Sequence, residues 1–171
     1  MSTRSFICVE QDDGSYKGVY CHSDGYLTYN GAMLLDHYNS REKADALIAL
    51  GDLSLLCEKL YPDPDKRQPN VTVAYARDRG EKNTEARIVT PESALDSWGE
   101  YLYVFCKDGK WRYYALCDDQ PELRDVETDL AKEFEAMGIE RPKDEYGFFP
   151  QERIDRLKKE QAQMRKNDAV M

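Results

Sequence analysis

The residues best suited to catalysis or metal binding lie close together, between Gly18 and Asn39. This stretch reads GVYCHSDGYLTYNGAMLLDHYN and holds both histidines of the chain, His22 and His37, with Cys21 directly before the first. A thiol activated by an imidazole is a common arrangement in nucleophilic catalysis, and Cys, His and carboxylate side chains are the usual ligands of zinc. Two kinds of chemical site therefore compete here with a purely structural role.

The spacing of these residues favours the structural role. Neighbouring side chains in a strand point to opposite faces, so Cys21 and His22 are not expected to contact each other. The stretch has no glycine-backed oxyanion motif and no paired metal-ligand spacing, and Asp24 and Asp36 are twelve positions apart. We interpret it as a joint between a strand and a helix, with a turn at Asp24-Gly25 in which the glycine takes a positive φ. No cofactor and no metal are expected.

A second candidate site is an acidic run in the C-terminal third of the chain. This run holds eight acidic and two basic residues, a local charge of −6. The sequence predicts a partner-binding surface that imitates a phosphate backbone, without direct binding of nucleic acid. The alternative is a solvated helix face, neutralised by the last helix, where residues 152–166 include six basic and three acidic side chains. The eight acids are Asp118, Asp119, Glu122, Asp125, Glu127, Asp129, Glu133 and Glu135.

Two hairpins are predicted from Asp-Gly dipeptides between strand-forming segments. Two-residue loops would pair Phe6 with Cys21 in the first hairpin and Cys106 with Trp111 in the second. Cys8 would then lie diagonal to Cys21 on the same face, too far away for a disulfide. The hairpins join residues 4–11 to 15–21 around Asp13-Gly14, and residues 100–106 to 110–117 around Asp108-Gly109.

Apolar residues at helical spacing predict several helices around these hairpins. Short helices are expected at residues 31–38, from Arg41, at 52–56 and at 90–98, with a strand at 71–76. Two longer helices follow, at about 121–137 and 150–166; the second has a weak apolar stripe of Ile154, Leu157, Gln161 and Met164.

The predicted fold is α+β: a small antiparallel sheet built from two hairpins and flanked by short helices, with a C-terminal helical extension. Residues 1–118 would form the core domain and residues 119–171 the extension.

The composition excludes several classes of protein. A chain of 171 residues with 41% hydrophobic residues is long enough for one folded domain. The net charge of −9 argues against binding nucleic acid through its phosphates. The sequence has no export signal and no apolar run long enough for a membrane span, which predicts a cytoplasmic protein whose five cysteines are reduced and mostly buried.

Six segments in a fixed order resemble a family of small proteins found in bacterial prophages and other mobile elements. The resemblance covers residues 3–115 and leaves out the C-terminal helices. Ser23 stands where that family usually has Trp. The segments are TRSFI, GVYCHSDGY, LLDHYN, LIALGDLSLL, VAYARDRGE, and EYLYVF followed by GKW.

The resemblance implies a genomic setting rather than an enzymatic activity. Such elements carry many small proteins that disarm host defences, including anti-CRISPR proteins. We therefore expect an inhibitor that binds a defence nuclease, such as a CRISPR effector, through the acidic residues. The alternatives are a small enzyme or a metabolite- or metal-binding protein that uses Cys21, His22 and His37, or a homo-oligomer assembled through the last helix.

Overall fold

The computed structural model describes residues 2–64, 70–96 and 99–170, and its backbone forms a sheet of eight strands. Several strands are only two or three residues long. In chain order they are β1 (Ser5–Glu10), β2 (Tyr16–Cys21), β3 (Leu53–Leu55), β4 (Val73–Ala74), β5 (Arg87–Val89), β6 (Tyr101–Phe105), β7 (Trp111–Ala115) and β8 (Arg124–Asp125).

In the described ranges, six α-helices surround the sheet, and a π-helical turn at Leu27–Gly31 leads directly into the first of them. The predicted helix at residues 90–98 begins at the expected Thr90 cap, and its residues 97–98 lie outside the described part of the chain. The helices are α1 (Ala32–His37), α2 (Arg41–Ile48), α3 (Tyr75–Arg79), α4 (Pro91–Leu95), α5 (Val126–Met137) and α6 (Gln151–Val170).

The α+β class is confirmed, but the sheet is mixed rather than purely antiparallel. The strand order is β4-β3-β2-β1-β6-β7-β8, and β5 pairs with β2. β1 lies parallel to β6, so the two hairpins meet side by side at the centre of the sheet. β2 also pairs in parallel with β3, through Cys21 and Leu53.

Both hairpins form where they were predicted, but their register differs by one residue. Phe6 lies opposite Tyr20 rather than Cys21, and Trp111 lies opposite Phe105 rather than Cys106. Each loop has three residues instead of two. It has the common three-residue form, in which a turn is followed by a residue in the left-handed region before the second strand begins. That residue is Gly14 in the first loop and Gly109 in the second, both with φ of +85°.

Four segments differ from the sequence prediction. Residues 53–55 form a strand instead of a helical turn, because Leu53 pairs with both β2 and β4 and is fully buried. Residues 75–76 begin α3 rather than extending a strand. Residues 121–125 precede α5, whose N-terminal cap is Asp125, while the last helix reaches Val170.

The two faces of the sheet are covered unequally. The larger cluster lies between one face and α1, α2 and α5; its central residues include Ile7, Tyr103 and Trp111. The smaller cluster lies on the other face and includes Cys8, Leu102 and Ala94 of α4. Val89 of β5 and Leu95 of α4 are partly buried and pack against it. The second face is therefore only thinly covered.

The larger cluster includes residues on both sides of the predicted domain boundary. Val126, Leu130 and Phe134 of α5 are buried in it, and Phe149 and Ile154 belong to it as well. That residues 1–118 form a domain separate from these side chains stays a prediction.

All five cysteines are free, as expected, and four of them are buried. The corrected register places Cys8 in the smaller cluster and Cys21 in the larger one, so the two lie on opposite faces of the sheet instead of sharing one. Cys117 is the exposed cysteine.

Candidate functional site

Cys21 has the surroundings of a structural thiol. It is fully buried, and Asn30 of the π-helical turn donates from Nδ2 to its Sγ at 3.5 Å and to Ser5 Oγ at 3.0 Å. Burial raises the pKa of Cys21 to about 11. Because the thiolate is the reactive form, a thiol with this pKa is a poor nucleophile at neutral pH.

The two histidines lie apart from this thiol and from each other. His22 is on the thinly covered side of the sheet, where its Nδ1 lies 2.8 Å from the Tyr20 hydroxyl. His37, at the end of α1, has its Nε2 2.8 Å from the hydroxyl of Tyr146. The expectation that Cys21 and His22 point to opposite faces is consistent with these separate partners.

The described residues contain no cluster of three or more His, Cys, Asp or Glu side chains suited to holding a metal ion. The turn before the π-helical segment also differs from its predicted form, because Asp24 and not Gly25 has the positive φ, of +56°. Gly25 instead packs tightly against β1: a Cβ atom there would lie 2.8 Å from Ser5 Cβ.

The eight acidic residues do not form one continuous stripe. Asp118, Asp119 and Glu122 are exposed in the loop between β7 and β8. Asp125 caps α5, since its Oδ2 accepts from Thr128 N at 2.9 Å. The remaining four lie along α5, which places them on different sides of the helix.

One side of α5 faces a groove of about 410 Å³. Glu127 and Glu135 line it together with Glu140, which follows the helix, and its apolar wall includes Leu130 and Phe134. Arg141 also lines the groove, but its guanidinium is held by both carboxylate oxygens of Asp36 on α1, at 2.6 and 2.8 Å. The groove therefore combines an apolar wall with three carboxylates.

The other side of α5 faces the tyrosines of the sheet. Asp129 accepts a hydrogen bond from the Tyr113 hydroxyl at 2.8 Å. Partial burial of its carboxyl group, together with the neighbouring Asp129, raises the pKa of Glu133. Burial and then the charges of Glu133, Glu100 and Asp118 raise the pKa of Tyr101, so acidic residues from three segments converge on this tyrosine.

Within residues 2–64, 70–96 and 99–170, none of the eight carboxylates forms an ion pair with a basic side chain. No ion pair within these ranges joins the last helix to them. In α6, Arg153 pairs with Glu145, and Gln161 bonds the backbone of Glu140 through both its amide atoms, at 2.8 and 2.9 Å.

Sequence reasoning missed two acidic residues that belong to this surface. Glu140 lies beyond Gly138, where the helical pattern stops, and Glu100 precedes a strand far away in sequence. Only the packing of α5 against the sheet brings them beside the predicted acids. The sequence shows that the surrounding segments are acidic, but it does not show that Glu100 and Glu140 lie beside α5.

No helix in the described part of the chain has the length and apolar character needed to cross a membrane. Comparison of the chain with models of known protein families, with curated proteins and with solved structures found no match.

Proposed function

We propose that the protein is an inhibitor that binds the basic, nucleic-acid-binding surface of a host defence nuclease such as a CRISPR effector. The proposal places it in the cytoplasm of a bacterial host, as the product of a phage or other mobile element. The acidic surface on α5 and on the β7–β8 loop would make the contact and keep nucleic acid out. The protein would act without a cofactor and without catalysis.

The observation that carries this proposal is the set of carboxylates without an ion-pair partner among the described residues. The eight acids and two bases within residues 118–135 give this region a charge of −6, and no ion pair among the described residues offsets it. In the basic helix α6, Arg153 pairs with Glu145, which is not one of these acids. An unneutralised acidic surface is complementary to a Lys- and Arg-lined channel and speeds association with it.

The groove beside α5 adds a shape argument to the charge argument. Its three glutamates surround an apolar wall that includes Leu130 and Phe134. Long basic side chains have an apolar stem and a charged end, and such a groove accommodates both parts. A surface lined with arginine and lysine is therefore a better match than an apolar or an acidic partner.

The test is a binding experiment with purified effector–guide complexes at increasing salt concentration. We expect affinity to fall as salt rises, because the Debye length shrinks from about 10 Å at 0.1 M to about 3 Å at 1 M. The triple variant Asp118→Asn, Asp119→Asn, Glu122→Gln should weaken binding about tenfold, because it removes three exposed contacts. Protection of target DNA from cleavage should fall in parallel.

A matched control removes the same charge elsewhere. Asp12, Glu81 and Glu92 are exposed and lie outside the acidic surface, so Asp12→Asn, Glu81→Gln, Glu92→Gln should leave binding unchanged. The proposal fails if both triple variants lose affinity equally, since net charge alone would then explain the effect. It also fails if no effector complex binds the unaltered protein at low salt.

A further inference from the structure

A cavity of about 520 Å³ lies on the thinly covered face of the sheet, away from α5. Phe6 of β1, Val89 of β5 and Ala94 of α4 supply its apolar wall. Gly99 closes one side, where the backbone comes so near that a Cβ atom would lie 3.2 Å from Ser5 Cα. Its volume falls within the range of about 300–1,000 Å³ that is usual for small-molecule sites.

A fixed polar edge borders this apolar wall. Asp52, only 8% exposed, receives two hydrogen bonds from Arg87, at 3.1 and 2.7 Å, and one from the backbone N–H of Tyr20 at 2.9 Å. The ring of Tyr20 lines the cavity, and its hydroxyl lies 2.8 Å from His22 Nδ1. These bonds hold one edge of the cavity rigid and neutralise the charge of Arg87.

Arg4 is the charged group of the cavity that remains uncompensated. Its side chain is exposed and makes no ion pair or hydrogen bond with any residue in the three described segments. Arg4 and Tyr20 both line the cavity, and the charge of Arg4 opposes the rise that burial causes in the pKa of Tyr20. With Arg87 and Asp52 paired, the cavity keeps one net positive charge in a chain whose net charge is −9.

We propose that this cavity binds a small organic carboxylate with an apolar body, such as a medium-chain fatty acid or an aromatic acid. The carboxylate would bind Arg4 beside the Tyr20 hydroxyl, and the hydrocarbon would pack on Phe6, Val89 and Ala94. A guanidinium offers two parallel N–H groups to a carboxylate, which makes this pairing stronger than a neutral hydrogen bond. A cationic ligand would be repelled by Arg4. A ligand with two negative charges would find no partner in the cavity for its second charge.

The site does not depend on the proposed inhibitory function. Helix α5, which carries the acidic residues, packs its apolar side chains on the larger cluster, and the cavity lies on the opposite face of the sheet. Loss of effector binding would leave this proposal standing, and absence of a bound carboxylate would leave the inhibitor proposal standing.

Calorimetric titration with three probes of equal chain length provides the test: octanoate, 1-octanol and octylamine. Octanoate should bind about tenfold more tightly than octanol, because only the carboxylate engages Arg4, and octylammonium should bind least. In Arg4→Gln, octanoate affinity should fall to that of octanol. Arg156→Gln removes the same charge from an exposed position on α6 and should bind octanoate as the unaltered protein does.

Backbone amide chemical shifts locate the bound octanoate. The largest changes should fall on Tyr20, Val89 and Gly99. Equal affinity for octanoate and octanol, unchanged binding in Arg4→Gln, or shifts centred on α5 would each overturn the proposal. So would the absence of octanoate binding at millimolar concentration in the unaltered protein, a result that needs no variant to fold.

Discussion

At the scale of single residues, a hydrogen-bonded group ties α1 to the segment before α6. Asp36 receives two bonds from Arg141 and one from the Tyr146 hydroxyl, at 2.9 Å. That hydroxyl has one proton and gives it to the carboxylate, so His37 must be the donor in its 2.8 Å contact with Tyr146. The group therefore fixes the tautomer of His37 and excludes that Nε2 as a base.

The charge of Asp36 should matter for stability above about pH 4. Burial alone would raise its pKa, but hydrogen bonds from Arg141 and Tyr146 and the charge of Arg141 hold the pKa below its usual value. A carboxyl group whose folded pKa is lowered stabilises the fold above its unfolded pKa of about 3.9, and this contribution is lost as the pH falls through the folded value. Asp36→Asn should cost about 1 kcal/mol in the free energy of unfolding at pH 7.

Urea unfolding of the unaltered protein and Asp36→Asn at pH 7 and at pH 3.5 measures this contribution. The difference between the two proteins should shrink at the lower pH. Asp45→Asn serves as the control, because Asp45 forms only an exposed pair with Arg41 on α2, at 3.3 Å. A difference that is the same at both pH values would show that the charge of Asp36 does not stabilise the fold.

The sequence indicated some of these residue roles and not others. The opposite orientation of Cys21 and His22 follows from the geometry of any strand, so it was predictable. The bond between Tyr113 and Asp129 was not, because it depends on how a helix packs on a sheet. Asp129 gains its contact from this packing and Asp125 gains its own by capping α5. The acidic pattern alone did not distinguish these two from the free carboxylates.

At the scale of elements, the two hairpins show how a loop determines its strands. Asp12-Asp13-Gly14 and Lys107-Asp108-Gly109 are alike in sequence and in their left-handed glycine. The Asp-Gly dipeptide locates both hairpins, but a two-residue and a three-residue loop differ by one register position. Residue types alone did not decide between the loops, and one extra loop residue changes every cross-strand pair.

The N-terminus of α5 should depend on Asp125 as an acceptor rather than as a charge. Its Oδ2 accepts from Thr128 N at 2.9 Å and from Thr128 Oγ1 at 2.7 Å. Asp125→Ala should therefore cost about 1 kcal/mol in the free energy of unfolding, the usual loss for a removed N-cap. Asp125→Asn keeps the acceptor and should stay within about 0.5 kcal/mol of the unaltered protein.

Guanidinium unfolding of both variants measures the two costs side by side. If the Asn variant loses as much as the Ala variant, the charge near the helix N-terminus matters more than the hydrogen bond. If neither loses stability, α5 does not need its cap.

At the scale of the whole molecule, the parallel contact between β1 and β6 joins the two hairpins into one sheet. It pairs Ser5 with Tyr101, residues almost at opposite ends of the core. Local patterns found the two hairpins, but they contain no information on which strands of the two become neighbours. For the same reason the sequence indicated the class of the fold and not its mixed sheet.

The chain truncated to residues 1–118 should be markedly less stable than the full chain. It lacks Val126, Leu130 and Phe134, which are buried against the larger cluster, and each such side chain contributes about 1.5–3 kcal/mol when fully buried. We expect a lower thermal midpoint and binding of a hydrophobic dye to the uncovered face. Equal midpoints for the two chains would show instead that the C-terminal helices are an independent extension.

The central position of β1 also constrains the order of events during synthesis. Its second edge has no partner until residues 101–105 emerge, so the hairpin β1–β2 waits with a row of free backbone groups on a strand that includes Ile7 and Val9. Pairings between residues distant in sequence form slowly, and an open apolar strand edge is a template for a strand of another chain. The growing polypeptide is thus most exposed to aggregation before β6 is made, and the arrival of that one strand covers the free edge of β1.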